Sequence, residues 1–89
     1  MLEVWKFELP AFTGMPTQID MPKNAEILHV DEQRGGPFIW ALVDVDAPLV
    51  NRSFAVFGTG QIVAENPMRH LGTVKLNNGN FILHVFELI

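Results

Sequence analysis

The chain has 89 residues, 48% of them apolar, with seven phenylalanines, two tryptophans and no cysteine. That length makes one domain, residues 1–89, burying roughly 60–65% of its unfolded surface, and the lack of thiols disfavours a disulfide-stapled secreted domain or a structural zinc site. Six basic residues against ten acidic ones, all scattered, give a net charge of −4, which excludes a general nucleic-acid binder needing a basic stripe to displace counterions.

Glu3 to Leu9 alternates, with Trp5, Phe7 and Leu9 on one side and Lys6 and Glu8 on the other. This is the pattern of a half-buried strand, ended by Pro10. The start MLEVWKFELP mixes charge with apolar residues and does not read as a signal peptide. No apolar run approaches the ~20 residues of a membrane-spanning helix, so a protein of the bacterial cytoplasm with no membrane contact is expected. Residues 10–16 read as a loop, and Thr17 to Met21 as a short strand closed by Pro22.

Ala25 to Val30 is the next strand. A turn at Arg34-Gly35 places Val30 opposite Ile39, His29 opposite Trp40 and Leu28 opposite Ala41. Pro37 to Val45 is apolar on both faces, the pattern of a central strand covered on two sides, so Trp40 reads as core. Arg52 to Phe57 is a strand, Gly58-Thr59-Gly60 a tight turn, and Gln61-Ile62-Val63 a short return strand. Ala64 to His70 holds the one plausible helical turn, with Asn66 as cap and Pro67 at the first helical position.

Leu71 to Ile89 reads as a β-hairpin. Asn78-Gly79 suits a type I′ turn, which needs positive φ at both central residues. That turn pairs Leu76 with Phe81, Val74 with Leu83, Thr73 with His84 and Gly72 with Val85. One face is apolar (Val74, Leu76, Phe81, Leu83, Val85), and Phe81 reads as core. The other carries Thr73, Lys75, Ile82, His84 and Phe86. The expected fold is therefore all-β: a small antiparallel sandwich or barrel of seven to eight short strands, with at most one helical turn near residues 66–70.

Chemistry is sparse. His29, His70 and His84 have no metal-ligand spacing, and structural or surface roles are the plainer reading. Asp31, Glu32, Asp44 and Asp46 would need to converge to hold a hard cation, and solvated rim charges explain them better. Ser53, Thr59 and Thr73 have no base at a recognisable spacing, so no nucleophilic set is nominated. The expectation is a non-enzyme without cofactor or metal. Gly58-Thr59-Gly60 falls short of a phosphate loop, yet its glycines admit a ligand to the backbone, with Arg52, Arg69 and His70 as basic groups. The second hairpin face adds His84 and Phe86. If it is uncovered, Phe86 belongs in the interface of a homo-oligomer with His84 at its rim.

The segments VWKFEL, MPKNAEILHV, FIWALVDVDA, RSFAVFGTG and HLGTVKLNNGNFILHVFE cover most of the chain in order. Together they resemble a family of small proteins encoded by phages and, as prophage genes, by bacterial genomes. That family carries no assigned biochemical function, so the resemblance implies a genomic setting and no residue roles. Small phage proteins of this size often bind host factors, antiviral-defence components among them. The resulting expectation is a non-enzymatic binding protein that inhibits or modulates a host protein by direct contact. The alternative is a sponge for a small nucleotide signal, using Arg52, Gly58, Thr59, Gly60, Arg69, His70, His84 and Phe86 at an oligomer interface.

Overall fold

The computed structural model describes residues 1–10, 14–63 and 65–89. Among them, seven strands form two antiparallel sheets. They are β1 (Leu2–Glu8), β2 (Thr17–Pro22), β3 (Glu26–Gln33), β4 (Gly36–Asp44), β5 (Leu49–Gly58), β6 (Met68–Leu76) and β7 (Phe81–Leu88). One sheet has the order β1-β4-β3, the other β2-β5-β7-β6. The fold is an all-β sandwich of three strands on four, with β3 packed along β6.

Two local turns set the hairpins. Arg34 (φ 55°) and Gly35 (φ 81°) join β3 to β4, and Asn78 (φ 55°) and Gly79 (φ 87°) join β6 to β7. Both turns place two central residues at positive φ, as a type I′ turn demands, and in the second Asn77 (φ 50°) precedes that pair in the same region. The Asn80 N–H donates to the Asn77 carbonyl at 3.0 Å, closing the second turn. The registers Leu76–Phe81, Val74–Leu83, Thr73–His84 and Gly72–Val85 follow, as the sequence predicts.

Alternation then sorts side chains between the layers. Ile39, Ala41 and Val43 of β4 point inward at 0–1% exposure, facing Phe54 and Val56 of β5, Val74 of β6 and Val85 of β7, all at 3% or less. Leu9 and Met21 complete this core.

Several expectations are corrected. Residues 66–70 hold no helical turn: Asn66 lies in a bend and β6 begins at Met68. Sheet pairing overrides the capping signal there, because Met68 pairs with Leu88 and the Ile89 N–H donates to the Pro67 carbonyl at 3.1 Å. Ala64, the first residue of that expected turn, lies outside the described residues. Among the described residues, the one short 3₁₀-like segment, Asn77–Gly79, is the hairpin turn itself, with all three residues at positive φ. Gln61-Ile62-Val63 is not a strand, and Ile62 is 91% exposed. Ala41 faces Ile27 rather than Leu28, because a β-bulge extrudes Leu28 before the register resumes at His29–Trp40.

The strand β4 is central, but on its outer side it is covered only at the Phe38 end, where Lys6 lies over the ring. Its outer residues Trp40 and Leu42 are half-buried, so Trp40 is not in the sandwich core. Phe81 occupies an inward register position, yet it is 60% exposed because it lies where the layers part.

Candidate functional site

The expected site residues do not form a single site: Arg52 is turned inward, while the Gly58-Thr59-Gly60 turn meets the outer-face histidines through Thr59. Arg52 points between the layers. Its Nε–H donates to Glu87 Oε2 at 2.6 Å, its Nη2 to Glu87 Oε1 at 2.8 Å and its Nη1 to the Ala25 carbonyl at 2.6 Å. The two side chains are 18% and 11% exposed. This bidentate pair ties β5 to β7 and to the chain entering β3, so Arg52 is engaged in holding the sheets together.

The turn at Gly58-Thr59-Gly60 is closed on itself. The Gln61 N–H donates to the Gly58 carbonyl at 3.1 Å, and the Gly58 N–H donates to Gln61 Oε1 at 2.9 Å. A phosphate seeking that amide would have to displace the Gln61 side chain. Gly60 takes φ 87°, a conformation glycine adopts without strain.

Thr59, His70, His84 and Phe86 do come together, on the outer face of the four-stranded sheet. His84 bridges two hydroxyls: Thr59 Oγ1 lies 2.8 Å from Nε2, and Thr73 Oγ1 lies 3.1 Å from Nδ1. Thr73 Oγ1 is also 3.4 Å from His70 Nε2. Cross-strand pairing builds this row, since Thr73 faces His84 and His70 faces Phe86. Phe86 stacks edge-on to Phe57 at 5.8 Å and lies 5.2 Å from the His70 ring. Exposed Lys75 continues the face opposite Ile82. Ile82 and Phe86 are half-buried within their own sheet, not exposed as an uncovered patch would require. Arg69 pairs with Glu87 on β7, one position from this row.

The row is two hydroxyls and two imidazoles in sequence. It positions donors and acceptors, with the Thr73 hydroxyl at Nδ1 orienting the His84 ring whose Nε2 meets Thr59. Thr73 is the member that sequence reasoning missed. The register placing it opposite His84 was the signal that could have found it.

A stretch of neighbouring exposed apolar residues lies on the other sheet. On the outer face of β1-β4-β3, Leu2 is 64% exposed and Val4 56%, beside half-buried Leu42 and Trp40. Leu28, extruded at the bulge, is 47% exposed. Lys6 reaches across Phe38, its Nζ 5.3 Å from the ring centroid, to donate to Gln33 Oε1 at 2.5 Å. That contact caps one end of the face. His29 packs 6.0 Å from Trp40 and pairs with Asp31 at 3.2 Å. Glu8, Glu26, Asp31 and Asp44 occupy outward register positions on this face.

The carboxylates do not converge. Asp31 faces Phe38, while Asp44 stands six residues farther along β4, about 20 Å away at the strand rise. Among the described residues, no group of three or more His, Cys, Asp or Glu is placed to hold a metal ion. Asp31 is held below the usual carboxylate range, first by the Glu32 backbone N–H at 2.7 Å and then by His29. Asp44 is held low first by the Asp46 N–H at 3.0 Å, with the terminal ammonium of Met1 at 3.4 Å adding to it. Of the three histidines, His70 and His84 share Thr73, and His29 lies on the other sheet.

No helix among the described residues is long and apolar enough to cross a membrane. Comparison with curated proteins and with solved structures finds no significant match. The family model for DUF7352, a domain of unknown function, matches residues 1–89, and the chain belongs to that family.

Proposed function

We propose that this chain is a small phage- or prophage-encoded binding protein, not an enzyme. It acts in the bacterial cytoplasm by holding a host protein against the outer face of β1-β4-β3. The observation that carries the reading is the apolar stretch of Leu2, Val4, Leu42 and Trp40, with Leu28 at its edge. Contiguous exposed apolar surface on a small domain marks an interaction site. Its acidic margin of Glu8, Glu26, Asp31 and Asp44 selects a partner with an apolar centre and basic surroundings. Antiviral-defence factors are the host proteins that the phage setting brings forward. Without the partner, two copies cover this face on each other.

The test is a photo-crosslinking amino acid at Val4 in cells, with the captured host protein then purified and titrated. Val4→Glu should abolish binding while the melting temperature stays near wild type. Binding that survives Val4→Glu and also Trp40→Ala sinks the reading.

A second reading, sequestration of a small nucleotide signal, is supported by the row Thr59–His84–Thr73–His70 beside Phe86. Hydroxyls and imidazoles suit a phosphate, and an aromatic ring suits a base. A thermal-shift series with cyclic dinucleotides and ADP-ribose tests it. A ligand at a hundred times its Kd adds about 2.7 kcal/mol.

A further inference from the structure

At one end of the sandwich the layers part between the two type I′ turns. The opening is a cleft of about 740 Å³, within the roughly 300–1,000 Å³ typical of ligand sites. Leu76 and Leu83 line it and belong to the core, at 7% and 6% exposure. Phe81 forms a wall. By register it faces the layer opposite, yet 60% of it is exposed. The β3–β4 turn offers it no cover, because Gly35 is held to glycine by its φ of 81° and no atom lies within 4 Å of where a Cβ would stand. Turn chemistry thus leaves the end of the core open on that side.

Among the described residues, one charged group lines the cleft. Glu32 Oε1 accepts the Gly35 N–H at 3.2 Å, and its Oε2 has no hydrogen-bond partner among the described residues. Arg34, the neighbouring turn residue, is exposed and does not line the cleft. Asn77 and Asn78 supply neutral polar edges.

We propose that this cleft binds a small cationic aromatic molecule. Its ring lies against Phe81 over Leu76 and Leu83, and its ammonium group meets Glu32. Three features carry the assignment: a core-facing phenylalanine left bare, a volume fitting a small molecule, and a carboxylate as the lining charge. An aromatic ring gains from Phe81 beyond simple burial, because offset and edge-on ring pairs are favourable. A cation gains a charge-assisted hydrogen bond from the carboxylate, which stands exposed at the cleft's edge with one oxygen still open. The cleft lies at the end of the sandwich, apart from the apolar stretch centred on Val4 and Trp40, so the two proposals stand or fall separately.

Tryptamine and indole-3-acetate serve as probes of nearly equal shape and opposite charge, titrated into the isotope-labelled protein and followed by amide chemical shifts. Tryptamine should saturate at millimolar concentration or below, with shifts confined to residues 32–36 and 76–83. Indole-3-acetate should bind at least about tenfold more weakly. Phe81→Ala should weaken tryptamine about tenfold while leaving the melting curve near wild type, since the ring is mostly exposed. Glu32→Gln should bring the two indoles to nearly equal affinity. Equal affinity for both probes in the wild-type protein overturns the proposal. So does a shift pattern outside the two hairpin tips, or tryptamine binding unchanged by Phe81→Ala.

Discussion

Val30 of β3 stands where a side chain on Gly72 of β6 would have to go. Its Cγ2 fills that space at the line where the two sheets meet, and Val30 is itself 6% exposed. Gly72→Ala should therefore cost about 1–3 kcal/mol by overpacking, although the backbone there is ordinary. Val30→Ala should recover part of the loss in the double variant. Urea unfolding of the four proteins measures the coupling, and additive losses would show that Val30 moves aside freely.

The Arg52–Glu87 pair gives a larger effect. Removing one member strands a charge that is 18% or 11% exposed. Arg52→Met or Glu87→Leu alone should cost about 3–5 kcal/mol. The double replacement should cost less than either single one, because no uncompensated charge remains. Thermal unfolding at neutral pH reads this, and a double variant less stable than both singles would contradict it.

The two aromatic residues read from the sequence as core now part from Phe54. Phe54→Ala, at a fully buried position, should cost about 3–5 kcal/mol. Phe81→Ala should cost about 1 kcal/mol or less, as most of the ring is already in water. Trp40→Ala should fall between them. Gly79→Val should cost about 1–2 kcal/mol or more by forcing a β-branched residue to positive φ.

Acid should act through Asp31 and Asp44, whose carboxyls are both held below their usual range. Stability from a lowered carboxyl is fully present above the unfolded-state value of about 4. It is lost as pH falls through the lower folded-state value. Asp44→Asn should thus melt slightly below wild type at neutral pH and level with it near pH 2. Both carboxylates are solvent-exposed, so the difference stays small. An offset that persists unchanged at pH 2 would assign the effect to packing instead.

Association is checked by light scattering. At high micromolar concentration the protein should give about twice its 10.0 kDa chain mass, and Val4→Glu should return the single-chain value. A wild-type mass of one chain would remove the two-copy state and leave the face to a partner alone.

The sequence was most legible where one local rule governs a segment. Asn78-Gly79 set its turn, and alternation from that turn placed Thr73 opposite His84 without further information. Arg34-Gly35 did the same for Val30 and Ile39, and failed only past Leu28, where a bulge left no sequence mark. Legibility ended where the answer depends on how far one layer extends over another. Phe81 and Val85 share a face and a pattern, yet one is at the open end and the other at 0% exposure. The candidate sites suffered from the same gap. Arg52 looked available for a ligand because its partner Glu87 lies 35 residues away.

The order of strand pairing also bears on how the chain acquires its shape. The β3-β4 and β6-β7 hairpins close through short turns and can form within about 1–10 μs. The strand β1 instead pairs with β4, so Glu8 must wait for Phe38. At ribosomal speeds of roughly 5–20 residues per second, that wait is on the order of seconds. Throughout it Leu2, Val4, Trp5 and Phe7 are strand-forming residues without a neighbour. The interval before β4 emerges is therefore when the nascent chain is most open to misassociation, and the charges of Glu3, Lys6 and Glu8 are the features of β1 that oppose it.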